Sequence, residues 1–239
     1  MANIDYKLLF LEKCKNDDLH ILIDYLTHDK DGSTRISEEL TGTSLYRTCY
    51  PNNLNRMWSE IAEEFQKFGG NTFVNMFRGG GPAYKEILMD VCDKLKVAYN
   101  KQSTVELIET NLLQSILIST LDEMNEEELQ ILIKELGNPN TVGSKPAMIA
   151  TLQIAIKAGG FGAYKVAMIV ANWVAKAILG RGLAVGANAG LTRIMAGFAG
   201  PIGWIITAIW TAIDLASPAY RVTIPACIQI AYMRAALNK

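Results

Sequence analysis

Arg78-Gly-Gly-Gly-Pro82 is the most suggestive stretch for chemistry in this 239-residue sequence, because it has the composition of an anion cradle. Glycines let an anion approach backbone N–H groups closely, and a helix with Pro82 in its first turn would add unsatisfied N–H groups and a positive dipole end. Arg78 would supply charge. Arg78, Gly79, Gly80 and Gly81 are therefore the candidate anion-binding residues. No Lys-Ser/Thr pair follows the glycines, no strand pattern precedes them and Rossmann spacing is absent, so neither a P-loop nor a dinucleotide fingerprint is present. A hinge between two helices accounts for the same residues.

Other reactive constellations are sparse. Glu60, Glu63 and Glu64 share a helix face, the geometry from which a carboxylate metal site starts, yet no His stands at the i+3 position of a Glu-x-x-His motif. A solvated face is the expectation there. His20 and His28 are the only histidines and stand eight residues apart, so no zincin helix is signalled and no Ser/His/Asp triad is indicated locally. Cys14, Cys49, Cys92 and Cys227 make no CxxC or Cys/His cluster; they read as small core residues in a reducing, cytosolic setting. No catalytic residue, metal site or cofactor is assigned, and a non-enzymatic protein is expected.

The elements that must position any site are helical. Asn16-Asp-Asp opens an apolar run ending at Leu26, and Asn125-Glu-Glu-Glu opens a similar run ending at Leu136, each with carboxylates at the positive end of a helix. The two phrases align residue for residue, as an internal repeat or as convergent capping. Tyr84, Ile87, Leu88, Val91, Cys92 and Leu95 form one face of an amphipathic helix. Ser103-Thr-Val-Glu106 has the capping-box pattern ahead of a helix over roughly 104–122. Gly137-Asn-Pro-Asn140 begins a linker through Gly143, and a domain boundary is placed there: 1–143 acidic and helical, 144–239 basic and apolar.

Charge divides at the same place. Residues 1–144 hold 14 Lys and Arg against 23 Asp and Glu, a balance of −9, whereas residues 145–239 hold nine basic residues against the single acid Asp214, a balance of +8. The basic half can face anionic lipid or the acidic half itself. Nucleic acid is disfavoured, because the basic residues stand alone among apolar ones. Within 160–179, Lys165, Asn172 and Lys176 lie within about 40° of one another on a helical wheel. That narrow stripe suits a helix lying on a membrane, or a buried helix whose stripe faces water or the acidic half.

Ile194 to Ile213 is a run of twenty residues without charge, which matches the roughly 20-residue span of a bilayer core. Gly200-Pro201 divides it, so a hydrophobic helical hairpin, Leu183 to Ala199 and Pro201 to Ala216, describes it better than one span. Lys165, Lys176, Trp204 and Trp210 are the candidate contacts to a membrane or partner. Asp214 requires a cation for its charge, and Arg193 and Arg221 are the candidates for a structural ion pair. Pro218 and Pro225 predict a kinked terminal helix, with a short extended piece before Pro225 as the alternative. MANIDYKLLFLEK lacks a basic n-region, so no cleaved secretory signal is expected.

Phe68-Gly-Gly70, Arg78-Gly-Gly-Gly-Pro-Ala-Tyr84, Gly200-Pro-Ile-Gly-Trp204 and above all Ala219-Tyr-Arg-Val-Thr-Ile-Pro225, followed by Gln229-Ile-Ala, resemble the YaaW-like family of bacterial proteins over nearly the whole chain. The resemblance implies a bacterial cytoplasmic or membrane-associated protein and supplies no catalytic residues. That family's grouping with ubiquinol–cytochrome c chaperones implies an all-helical fold. The expectation is an all-α, non-enzymatic protein, cytoplasmic or associated with the inner membrane. Its hydrophobic hairpin either meets a membrane or forms the core of a soluble chaperone-like adaptor that binds a protein partner, with oligomerisation open. An enzyme using the Arg78–Pro82 loop as a phosphate site is the third reading.

Overall fold

The computed structural model describes residues 4–29, 31–69, 81–136, 143–158, 161–183 and 218–238. The described residues form helices and no strand; a lone bridge joins His28 to Thr34. A 3-10 segment, Tyr6–Lys13, leads to α1 (Asn16–Thr27), α2 (Ser44–Cys49) and α3 (Trp58–Phe68). Then come α4 (Tyr84–Lys94), α5 (Val105–Thr120), α6 (Glu126–Glu135), α7 (Lys145–Ala158), α8 (Phe161–Leu179) and α9 (Pro218–Leu237).

The two most apolar helices lie at the centre. In α8 residues 166–175 are all buried, and in α9 residues 222–233 are all buried. These two pack on each other, while α1, α3, α4 and α5 pack on α9, and α5 and α7 pack on α8. A helix without a polar face over three turns can be covered only if neighbours surround it, and the amphipathic helices of the N-terminal half do so. One core cluster runs from Leu8 to Met233, across the compositional boundary at 143.

Local chemistry sets the helix ends, in several places differently from the sequence expectation. The helix after Ser103 begins one residue later: the Thr104 hydroxyl accepts from the Leu107 N–H. Asn125 and Glu128 form a reciprocal capping box at α6. Asn16 caps nothing; its amide donates to the Pro51 carbonyl at 2.6 Å and its Oδ1 accepts from Leu54 N–H at 3.0 Å, fastening the 51–54 turn onto α1. The two similar phrases thus use their asparagines differently.

Helix α4 starts at Tyr84 rather than Pro82, with Ala83 extended before it. Helix α9 continues unbroken through Pro225, so no extended piece precedes that proline. The missing Pro N–H leaves only one i→i−4 bond unmade, and burial on all sides holds the remainder. Glu64 is buried, not solvated: its carboxylate accepts the Glu39 N–H at 3.0 Å, and Lys67 lies 3.7 Å from it. The uncovered backbone of the 38–42 segment needs that acceptor.

Candidate functional site

Three residues from three helices meet in the core. Tyr84 Oη donates to Glu109 Oε1 at 2.7 Å, and Arg234 Nε–H is shared between the Glu109 oxygens at 3.1 and 2.9 Å. Arg234 Nη2 also donates to the Lys7 carbonyl at 2.9 Å, and its guanidinium lies 4.0 Å from the Phe10 ring centre. Helical spacing places Glu109 inward with Val105, Leu112 and Leu113, the face on which α5 meets α9. Burial pushes the Glu109 carboxyl up, opposed by Arg234 and by the Tyr84 hydroxyl. Burial also drives the Tyr84 phenol well above its ordinary value, with the Glu109 charge adding to it, so Tyr84 acts as donor. Every oxygen of Glu109 is spent on these partners. The arrangement is a lock between α4, α5, α9 and the 6–13 segment.

A cleft of about 410 Å³ opens beside this lock, between α5, α8 and α9. Leu113, Ala163, Val166, Ala231 and Ala235 give it apolar walls; Glu106, Thr110 and Gln114 stand along α5. Glu106 Oε1 lies 4.0 Å from Arg234 Nη1 and is half exposed. Near these residues in the chain, large apolar side chains are open to solvent: Tyr6 at 75%, Leu107 at 50% and Leu237 at 43%. Tyr6 adjoins Lys7, Leu107 adjoins Glu106, and Leu237 is one turn on from Arg234.

A second polar cluster ties α1 to the end of α8. Arg181 pairs with Asp24 and lies 3.2 Å from His20 Nδ1, which is 3.6 Å from Asp24. His20 stacks obliquely on Tyr50 with ring centres 5.1 Å apart. Asn172 Oδ1 accepts the Leu183 N–H at 3.0 Å, and a Cβ at Gly182 would overlap that same oxygen, so the turn after α8 requires glycine.

Of the residues singled out by sequence, Gly81 sits with its Cα hydrogens against the Gln66 carbonyl, leaving no room for a side chain. The first N–H group of α4, at Tyr84, is taken by the Asp5 carboxylate at 2.8 Å, which also caps the 6–13 segment. Arg78, Gly79 and Gly80 lie outside the described residues, as do Arg193, Trp204, Trp210, Asp214 and residues 184–217 of the expected hairpin. Arg221 is on the exposed first turn of α9. Lys165 donates to the Glu135 carbonyl and stands 3.9 Å from its carboxylate, so it faces α6 of the acidic half. Lys176 is exposed, whereas Asn172, between them on the wheel, is buried.

All four cysteines are buried and free. Burial pushes the Cys14 and Cys92 thiols up to about 12 and Cys227 well above its ordinary value, which removes them as nucleophiles at neutral pH. Among the described residues no cluster of His, Cys, Asp and Glu is placed to hold a metal. Sequence reading missed Glu109 and Arg234 as partners, since 125 residues separate them. The signal that was available is an acid on the apolar face of α5 and an arginine closing the apolar run of α9.

A family model described as ubiquinol-cytochrome C chaperone matches residues 54–228, and one described as a domain of unknown function (DUF3944) matches residues 4–36. A UPF0174 protein of Helicobacter pylori strain J99 is 47% identical over 231 residues, covering 96% of this chain and 91% of that protein. A second UPF0174 protein of the same strain is 42% identical over 208 residues, covering 85% of this chain and 99% of its own. UPF0174 protein YaaW of Escherichia coli K12 is 32% identical over 234 residues, covering 96% and 94%. No solved structure matches the chain. On the identities and the extent of the matches, the chain belongs to the UPF0174 (YaaW) family, within the reach of the ubiquinol-cytochrome C chaperone family model.

Proposed function

We propose that the chain is a non-enzymatic, chaperone-like protein that holds a protein partner against the face formed by residues 6–13, α5 and the end of α9. The carrying observation is the exposure of Tyr6, Leu107 and Leu237, each next to or one turn from a member of the linked Lys7–Glu106–Arg234 group. Exposed apolar side chains favour association with another surface, because covering them removes apolar area from water. The ubiquinol-cytochrome C chaperone match spans α5 but neither residues 6–13 nor the end of α9, so it supports a chaperone-like role without locating the face.

A photo-crosslinking residue placed at Leu107 in the full chain, in its native cell, tests this. The expected result is a reproducible protein adduct that disappears when Tyr6 and Leu237 are changed to Asp, and none from the same label at Ile154 on α7, which is 71% exposed. An adduct indifferent to the Asp changes removes the reading.

A second reading rests on the uncharged run Ile194–Ile213 and the +8 balance of its half: this half contacts an anionic inner membrane through Leu183–Ala216, with Lys176, Trp204 and Trp210 at the lipid surface, while Lys165 is taken by Glu135. The described helix long and apolar enough to cross a membrane, Gly162–Leu179, has 61% of its window buried and serves here as core. Carbonate and high-salt washes of native membranes separate the cases. Retention through both supports insertion, release by salt alone supports headgroup contact, and recovery wholly with the cytosol rejects this second reading.

A further inference from the structure

Along α5 the unused acceptors at the polar edge of the cleft between α5, α8 and α9 outnumber the unused donors. Gln114 Nε2 donates to the Ile156 carbonyl at 2.6 Å, leaving Oε1 as an acceptor. Thr110 Oγ1 donates to the Glu106 carbonyl at 2.8 Å, which leaves its lone pairs. Arg234 gives Nε to Glu109 and Nη2 to the Lys7 carbonyl. The Glu106 carboxylate is held below its usual range by hydrogen bonds from its own backbone N–H and from Thr104, with Arg234 and Lys7 adding to the effect against partial burial. Glu106, Thr110 and Gln114 stand at i, i+4 and i+8, so these acceptors form a row along one face of α5.

The opposite walls are apolar and deliberately small: Ala163 and Val166 from α8, and Ala231 and Ala235 from α9, with Leu113 beside them. At about 410 Å³ the space is of the size that small organic groups occupy, roughly 300–1,000 Å³. Formal charge along the lining is two carboxylates, Glu106 and Glu109, against one guanidinium, Arg234, which is committed to Glu109. An anion would meet net negative charge from the lining. A group with several N–H donors and a positive charge meets an acceptor row and a carboxylate.

We propose that this cleft binds an alkylammonium group: an apolar chain against Leu113, Val166 and the three alanines, ending in an –NH₃⁺ that donates to Glu106 and to Thr110 one turn on. A lysine in an apolar partner segment carries this chemistry, and so does a free long-chain amine. The inference deepens the partner reading above and rests on it only for the lysine source.

The test titrates the full-length protein with n-octylamine, n-octanol and n-octanoate near neutral pH and follows the Ala163, Val166 and Ala231 resonances. Octylamine is expected to bind on the order of tenfold more tightly than octanol, with octanoate weakest. Glu106→Gln, at a half-exposed position, is expected to bring octylamine down to the level of octanol without changing octanol binding. Ala235→Trp, which fills the cleft, is expected to abolish both. Equal affinity for the three probes, preference for octanoate, or no binding by any of them overturns the proposal. The peptide acetyl-Leu-Leu-Lys-Leu-Leu-amide, competed by octylamine and lost on lysine acetylation, identifies a protein lysine as the source; octylamine binding without peptide binding identifies a free amine. A Leu107 adduct that persists when octylamine fails to bind leaves the partner reading standing and removes this one.

Discussion

Arg234 is held by Glu109, by the Lys7 carbonyl and by the face of Phe10, and it is 11% exposed. Its removal leaves the buried Glu109 carboxyl with only Tyr84 as donor and without the charge that opposes its burial. Arg234→Met is therefore expected to cost about 3–5 kcal/mol in urea unfolding, most of it the penalty of an uncompensated charge. Adding Glu109→Leu to that variant is expected to recover a large share, because an apolar pair needs no solvation; no recovery in the double variant would assign the loss to packing alone. At the other polar cluster, burial and the neighbouring Arg181 hold His20 below its ordinary value of 6.5. The folded state then binds a proton less readily than the unfolded state. Stability is full above 6.5, falls as pH drops from 6.5 through the folded value, and levels off below it. Thermal melts between about pH 7.5 and 5.5 are expected to show this loss, and His20→Gln is expected to flatten it. An unchanged slope in the variant would place the titration elsewhere.

At the scale of the helix, caps show both what was legible and what was not. The Asn125–Glu128 box satisfies two otherwise unpaired N–H groups, and Asn125→Ala is expected to lower stability by about 1 kcal/mol in chemical denaturation. Asn16→Ala acts differently, by freeing the 51–54 turn from α1, so its effect is expected in the exchange of the Leu54 amide rather than at the start of α1. Both asparagines stand in the same local phrase, and local phrase is all that single-sequence reading weighs. Helix positions were legible because period 3.6 is a local property: the Tyr84 face lies buried as its spacing requires, and α5 covers most of the expected 104–122. Glu64 was misread because its partner, the Glu39 N–H, is 25 residues away and supplied by an irregular segment without a pattern of its own. The lock was hidden for the same reason, at a separation of 125 residues. The candidate loop at Arg78–Gly81 was conspicuous by composition, yet the N–H group that opens the following helix is met by Asp5, a residue with no sequence signature for that role.

For the whole molecule, the opposed balances of −9 and +8 meet inside the fold. Lys165 faces Glu135, Arg181 faces Asp24, and Arg234 faces Glu109 and Glu106, each a basic residue of the apolar half against an acid of the other. Composition marked a boundary near 143, but α9 is enclosed by α1, α3, α4 and α5, so the apolar half fills the centre of the acidic one. A fragment ending at residue 143 would present to water the faces of α1, α3, α4 and α5 that cover α9. Chains that cannot bury enough apolar surface do not offset their conformational entropy. The fragment 1–143 is therefore expected to unfold without a cooperative transition and to bind a hydrophobic dye, and mixing it with 144–239 is expected to restore a single transition. Charge pairing between the halves makes that recovery salt-dependent: reassociation is expected to slow as ionic strength rises, while the melting point of the intact chain changes little, because the pairs that are buried are screened least. Cooperative unfolding of 1–143 alone would show that the acidic half folds as a unit and that the packing around α9 is an interface between two domains.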